Sequence, residues 1–98
     1  MQYEIATTDD FDDWFDGLRD SLAVTAIRRN IVKLSGGLFG NVEAVGSGVS
    51  ELKVDVGAGY RIYFVTRGRT IIVLLTGGDK SSQRRDIARA KEMAGDLE

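Results

Sequence analysis

Glu51-Leu52-Lys53-Val54-Asp55-Val56-Gly57-Ala58-Gly59-Tyr60-Arg61-Ile62-Tyr63-Phe64 is the stretch whose reading decides the fold. Leu52, Val54 and Val56 alternate with Glu51, Lys53 and Asp55, the period of a strand with one buried face. Gly57-Ala58-Gly59 supplies a turn, and Tyr60 to Thr66 reads as a second strand, rich in β-branched and aromatic residues. In such a hairpin Leu52 and Val54 share a core face with Ile62 and Phe64. Lys53, Asp55, Arg61 and Tyr63 then occupy the opposite face, where Asp55 and Arg61 are placed for a cross-strand ion pair.

Working outward, Arg67-Gly68 forms a tight turn before Arg69 to Thr76, a nearly all-apolar run expected to be a central strand covered on both sides. Gly77-Gly78 is expected to end it. Ser81 or Ser82 can cap a last helix in which Ile87, Ala90, Ala94 and Leu97 repeat at helical spacing. Upstream, Asn41 to Val45 fits an edge strand before the flexible Gly46-Ser47-Gly48 turn. A helix from about Asp20 carries Ala23, Ile27, Ile31 and Leu34 on one side and stops at a left-handed Gly36-Gly37 cap. Before it, Thr7-Thr8 caps a shorter helix whose Phe11, Trp14, Phe15 and Leu18 form one apolar stripe. Gln2 to Ala6 reads as a short first strand. The expected order is β-α-α-β-β-β-α: an α+β fold with a mostly antiparallel sheet, an N-terminal helical hairpin and a C-terminal helix.

The chain of 98 residues is expected to be one domain, residues 1–98. It contains no Cys and no His, which removes disulfides, thiolate nucleophiles, imidazole bases and the usual zinc ligands. The longest apolar run, Ile71 to Leu75, falls far short of the ~20 residues of a membrane span. Met1-Gln2-Tyr3-Glu4 lacks the basic and apolar regions of a signal peptide, so the expected location is the cytoplasm. Any catalysis must then run on Lys, Arg, Tyr, hydroxyls or carboxylates. Net charge is only −2, yet the charges are segregated. Residues 1–20 carry seven acids, five of them between Asp9 and Asp16, against Arg19 alone. Residues 61–91 carry eight Lys and Arg against Asp79 and Asp86. Such asymmetry suits one surface that faces a polyanion, or two surfaces that pair with each other. Lys53 and Arg61 on a sheet face, and Lys80 directly after Gly77-Gly78-Asp79, are the cations in positions where a backbone and a ligand can approach closely. The glycine pair is not a phosphate-binding P-loop, because the Gly-x4-Gly-Lys-Ser/Thr spacing is missing.

Asp9-Phe11…Trp14…Leu18-Arg19, Gly48 to Leu52, Asp55 to Phe64 and Gly77-Gly78-Asp79-Lys80-Ser81-Ser82-Gln83…Asp86 to Ala90 together resemble the "addiction module killer protein" subgroup of the RelE/ParE toxin superfamily, near HigB. The resemblance covers essentially the whole chain. It implies the small RelE-type fold and a toxin of a type II toxin–antitoxin module, neutralised by a cognate helix-turn-helix antitoxin. It further implies an mRNA interferase that works without a metal on the ribosome, with ribosome and mRNA as partners and no cofactor. The ParE branch would instead poison DNA gyrase, and a non-catalytic binding protein is the remaining alternative. Arg61 matches the superfamily arginine on the third strand, and Lys53 the basic position on the strand before it. The HigB catalytic histidines have no counterpart, so the chemistry falls to cations. Arg61 suits a bidentate clamp on phosphate, Lys53 and Lys80 are candidates for base and acid, and Tyr63 can donate a proton or stack on a base. Arg84 and Arg85, with Arg67 and Arg89, are candidates for holding ribosomal or messenger phosphates. Neither a metal nor a small-molecule ligand is expected.

Overall fold

Side-chain caps start the first two helices. Thr8 accepts a hydrogen bond from the Phe11 N–H at 3.1 Å and starts α1 (Asp9–Asp16). Asp20 accepts from the Leu22 and Ala23 N–H groups and starts α2 (Ser21–Ser35). Gly36 follows α2 with a near-helical backbone, and the left-handed residue is Gly37, at φ 85°. These helices follow β1 (Glu4–Thr7) and precede β2 (Val42–Gly46), β3 (Val49–Val54), β4 (Tyr60–Arg67) and β5 (Ile71–Asp79). A 3-10 turn at Lys80–Ser82 then leads into α3 (Gln83–Asp96). The computed structural model describes residues 2–97; Met1 and Glu98, the ends of the expected 1–98 unit, lie outside the described residues.

The five strands form one mixed sheet in the order β1-β5-β4-β3-β2, antiparallel except for the parallel β1–β5 pair. The α+β class and mostly antiparallel sheet agree with the expectation, but the element order does not: four strands, not three, follow the helices. The additional strand is β2, the Asn41 to Val45 segment that reads as an edge strand but is not counted in that order. Its Val42 stands opposite Leu52 and packs on the core, which makes the 42–46 segment a true edge strand.

Two apolar clusters lie on the two faces of the sheet. Under α1 and α2, Leu52, Val54, Ile62, Phe64, Ile72 and Leu74 meet Phe11, Ile27 and Leu34. Under α3, Val49, Tyr63, Val65 and Leu75 meet Ala90. Leu75, like Val73, reaches that second cluster by strand alternation with Ile72 and Leu74, and just there the β4–β5 register slips: Tyr63 faces Thr76 while Phe64 faces Leu74.

Gly77 and Gly78 correct the expectation that they end the strand, since β5 runs through both to Asp79. Each is a close-approach position on a different face. A Cβ on Gly77 would lie 2.3 Å from the Trp14 ring, and one on Gly78 would lie 1.8 Å from the Asp86 carboxylate. The pair therefore seats α1 on one side of the sheet and α3 on the other.

Candidate functional site

The hairpin places the predicted cations in one row. Lys53 on β3 pairs with Arg61 on β4, and Arg61 pairs with Gly78 on β5. Like charges directly opposite each other across a strand pair cost stability, so Lys53 facing Arg61 is an arrangement that packing alone does not favour. Lys80 joins them from the end of β5. Its backbone N–H donates to the Gly59 carbonyl at 3.0 Å, and its side chain lies over Gly59. Gly57 and Gly59, both at positive φ, let the turn fold against Asp20 and Tyr60 on one side and Lys80 on the other. The result is a cleft of about 400 Å³ walled by Lys53, Arg61, Lys80 and the Gly57–Tyr60 turn, with Asp55 as its one acid.

Beneath this cleft lies a carboxylate that sequence reasoning missed. Glu51 is 1% exposed, and its two oxygens accept from the Arg61 guanidinium and the Gln83 side-chain amide, each at 3.0 Å. The Arg61 side chain is 12% exposed, so its guanidinium is held from below while it lines the cleft above. The expected Asp55–Arg61 pair is replaced by this one. Asp55 follows the end of β3, with its side chain exposed, whereas Glu51 lies diagonally across from Arg61 under the cover of α3. Partial burial strengthens a charge-assisted hydrogen bond and fixes the direction of the planar guanidinium.

Tyr63 sits in the same buried layer, opposite Glu51 across the strand pair. It is 0% exposed, which rules out the expected stacking on an RNA base. Its hydroxyl has no hydrogen-bond partner among the described residues. Burial pushes its pKa well above that of an ordinary tyrosine, and the nearby Glu51 carboxylate adds to the rise.

The start of α3 closes the far wall. Asp79 accepts from both the backbone N–H and the hydroxyl of Ser81, and these bonds hold its carboxyl below the usual carboxylate range. Ser82 occupies the cap position of α3 but makes no capping bond; its hydroxyl donates to Asp86, which covers Gly78. Arg84 and Arg85 are exposed around a shallow depression just beyond Lys80. Arg89 and Arg67 lie elsewhere. Arg89 ion-pairs with Asp10 of α1, which raises the guanidinium pKa and ties α3 to α1. Arg67 donates to the Leu97 carbonyl at 2.7 Å. Of the eight side chains singled out from sequence, Lys53, Arg61 and Lys80 share the cleft, Tyr63 underlies it, Arg84 and Arg85 flank it, and Arg67 and Arg89 tie α3 to its neighbours.

Comparison with known proteins places this geometry in a family. The model of the phage-derived, Gp49-like proteins matches residues 13–94. An uncharacterized protein of Haemophilus influenzae is 40% identical over 97 residues, covering 99% of this chain and 98% of its own. The solution structure of the conserved hypothetical protein HP0894 from Helicobacter pylori aligns with a TM-score of 0.54 at 17% identity, over 83% of this chain and 97% of the other. That likeness is one of fold. Strands β2 to β5, the cleft and the turn that shapes it fall inside residues 13–94, and the chain belongs to the Gp49-like family of phage-derived proteins.

Proposed function

We propose that the protein is the toxin of a type II toxin–antitoxin module and acts as an mRNA interferase on the ribosome, with residues 1–98 forming one toxin domain. The observation that carries this reading is the convergence of Lys53, Arg61 and Lys80 on one cleft, with Arg61 oriented from below by buried Glu51. A site of this charge suits a phosphodiester. Cleavage needs the 2′-hydroxyl deprotonated, the charge on the pentacoordinate phosphorus neutralised and the 5′-oxygen protonated as it leaves. In this reading Arg61 clamps the non-bridging phosphate oxygens through N–H donors not used by Glu51. One of Lys53 and Lys80 accepts the 2′-hydroxyl proton. The other returns a proton to the 5′-oxygen, leaving a 2′,3′-cyclic phosphate and a free 5′-hydroxyl. Arg84 and Arg85, exposed beyond Lys80, hold phosphates of the message or the ribosome. A cognate helix-turn-helix antitoxin working in the cytoplasm completes the proposed module.

The test compares two variants in a translating extract. Arg61→Ala should lower the single-turnover cleavage rate by ~10²–10³ with a smaller effect on ribosome binding. Arg84→Ala should do the reverse, weakening binding and flattening its salt dependence. A protein that arrests growth while leaving messages whole, and traps gyrase on cut DNA, would move the assignment to the gyrase branch.

A further inference from the structure

A second groove opens beside the cleft and shares Lys53, Asp55 and Val56 with it. It measures about 420 Å³ and runs between the C-terminal half of α2 and the 38–41 segment. Arg29 and Lys33 line it from α2, four residues apart and therefore on one helical face. Both are exposed, and neither forms an ion pair among the described residues. Like charges at this spacing repel each other. The negative C-terminal end of α2 compensates Lys33, which lies in the last turn, but not Arg29, a full turn earlier. The neighbouring Arg28 makes the contrast plain, because it is engaged over the Phe15 ring at 5.5 Å. Fold stability thus accounts for Arg28 and leaves Arg29 unexplained.

Arg29, Lys33 and Lys53 face a groove whose one acid is Asp55. This chain of unpaired cations is continuous with the cleft, and it suits a polymer that carries a negative charge on every repeat. The aromatic ring in the groove offers no stacking platform. Phe39 is packed against Tyr3 and Phe64, with ring centroids 5.6 and 6.2 Å away. Contacts here fall on backbone phosphates and carry no base preference.

We propose that this groove is a second phosphate-binding site, in which Arg29 and Lys33 hold the single-stranded RNA backbone adjoining the nucleotide in the cleft, without reading its sequence. The inference rests on the RNA reading of the cleft and extends it to a pair of residues outside the sheet.

The test is binding of 2′-O-methyl RNA oligonucleotides, which cannot be cleaved, to the full chain by fluorescence anisotropy across a salt series. A four-nucleotide and a twelve-nucleotide strand serve as probes, each as oligo-U and oligo-A. Wild type should bind the longer strand more tightly and with a steeper salt dependence. Arg29→Ala/Lys33→Ala should lose that advantage, with the salt slope lower by about 1.4, or roughly 0.7 for each phosphate no longer neutralised. The loss should be equal for oligo-U and oligo-A, the shorter strand should bind with wild-type affinity, and Arg29→Lys/Lys33→Arg should bind like wild type. Unchanged melting of the alanine variant would tie the loss to the groove and not to the fold. Should the alanine variant bind the twelve-nucleotide strand like wild type, the groove proposal falls and the cleft reading survives. Stronger binding of a glutamate-rich peptide of equal charge would make the groove a protein-docking surface instead. If wild type binds neither strand, the groove proposal falls, while the cleft reading is decided by the cleavage test in the translating extract.

Discussion

Glu51 keeps its charge in a nearly closed setting because Arg61 and Gln83 meet both of its oxygens. Removing the acid would leave the guanidinium without its partner in a largely covered position. Glu51→Ala should therefore cost about 3–5 kcal/mol in urea denaturation, whereas a change within about 0.5 kcal/mol, as for an ordinary surface site, would mean that the pair does not form. Tyr63, directly across the strand pair, gives a test through pH. Its folded-state pKa lies above the unfolded value of about 10. The folded protein therefore keeps the phenol proton when the unfolded chain has released it. Above about pH 10 the unfolded state binds fewer protons, so stability must fall as pH rises. Tyr63→Phe should make that alkaline loss shallower and leave stability at pH 7 unchanged or slightly higher, since the hydroxyl has no partner to lose. A marked loss at pH 7 would show that the hydroxyl is bonded. Alternation puts Glu51 on the face of Lys53, Arg61 and Tyr63, but it says nothing of what covers that face. The apolar stripe of α3, Ile87, Ala90 and Ala94, is the signal in the sequence that part of it has to be covered.

At the scale of elements, β5 organises the molecule through two missing side chains. Gly77→Ala would drive a methyl group into the Trp14 ring, a rigid wedge held against Phe11 and Tyr60. Gly78→Ala would meet the end of a carboxylate that can rotate away, giving up its bond from Ser82. Thermal or urea melts should therefore show the larger loss for Gly77→Ala, about 2–3 kcal/mol for such overpacking, and the smaller for Gly78→Ala. Equal losses would contradict the assignment of the two faces. Trp14→Ala should cost about 3–5 kcal/mol through the cavity it opens. The strands and helices follow readily from period and caps, because apolar alternation in β3 and β4 and the stripes of α1 and α2 are local signals. The roles of Gly77 and Gly78 do not, since a glycine pair after an apolar run reads as a stop unless the elements packed on either face are known.

The whole molecule separates its charges only in part. Asp10 and Arg89 draw the acidic N-terminal helix and the basic C-terminal helix together, so some of the asymmetry seen in the sequence is internal pairing. The remainder is concentrated. Lys53 and Lys80 in the cleft, Arg29 and Lys33 in the groove, and Arg84 beyond Lys80 have no ion-pair partner among the described residues. Alternation about the Gly57–Gly59 turn is enough to make Lys53 and Arg61 neighbours, whereas Lys80 joins them only through the pairing of β5 with β4, which sets Asp79 opposite Tyr60. Arg29 and Lys33 are invisible as a site in the sequence, because nothing in the local pattern of α2 says that it lies beside β3. Among the described residues no helix is long and apolar enough to cross a membrane.

The central claim is that these cations cleave RNA with the substrate's own 2′-hydroxyl as nucleophile. Its most direct test is a message on the ribosome in which the nucleotide at the mapped cleavage point carries 2′-deoxy or 2′-O-methyl. The account predicts that cleavage vanishes at that position, and that the unmodified message yields fragments ending in a 2′,3′-cyclic phosphate. Cleavage that continues across the modified nucleotide would mean that water is the nucleophile, and would contradict the account.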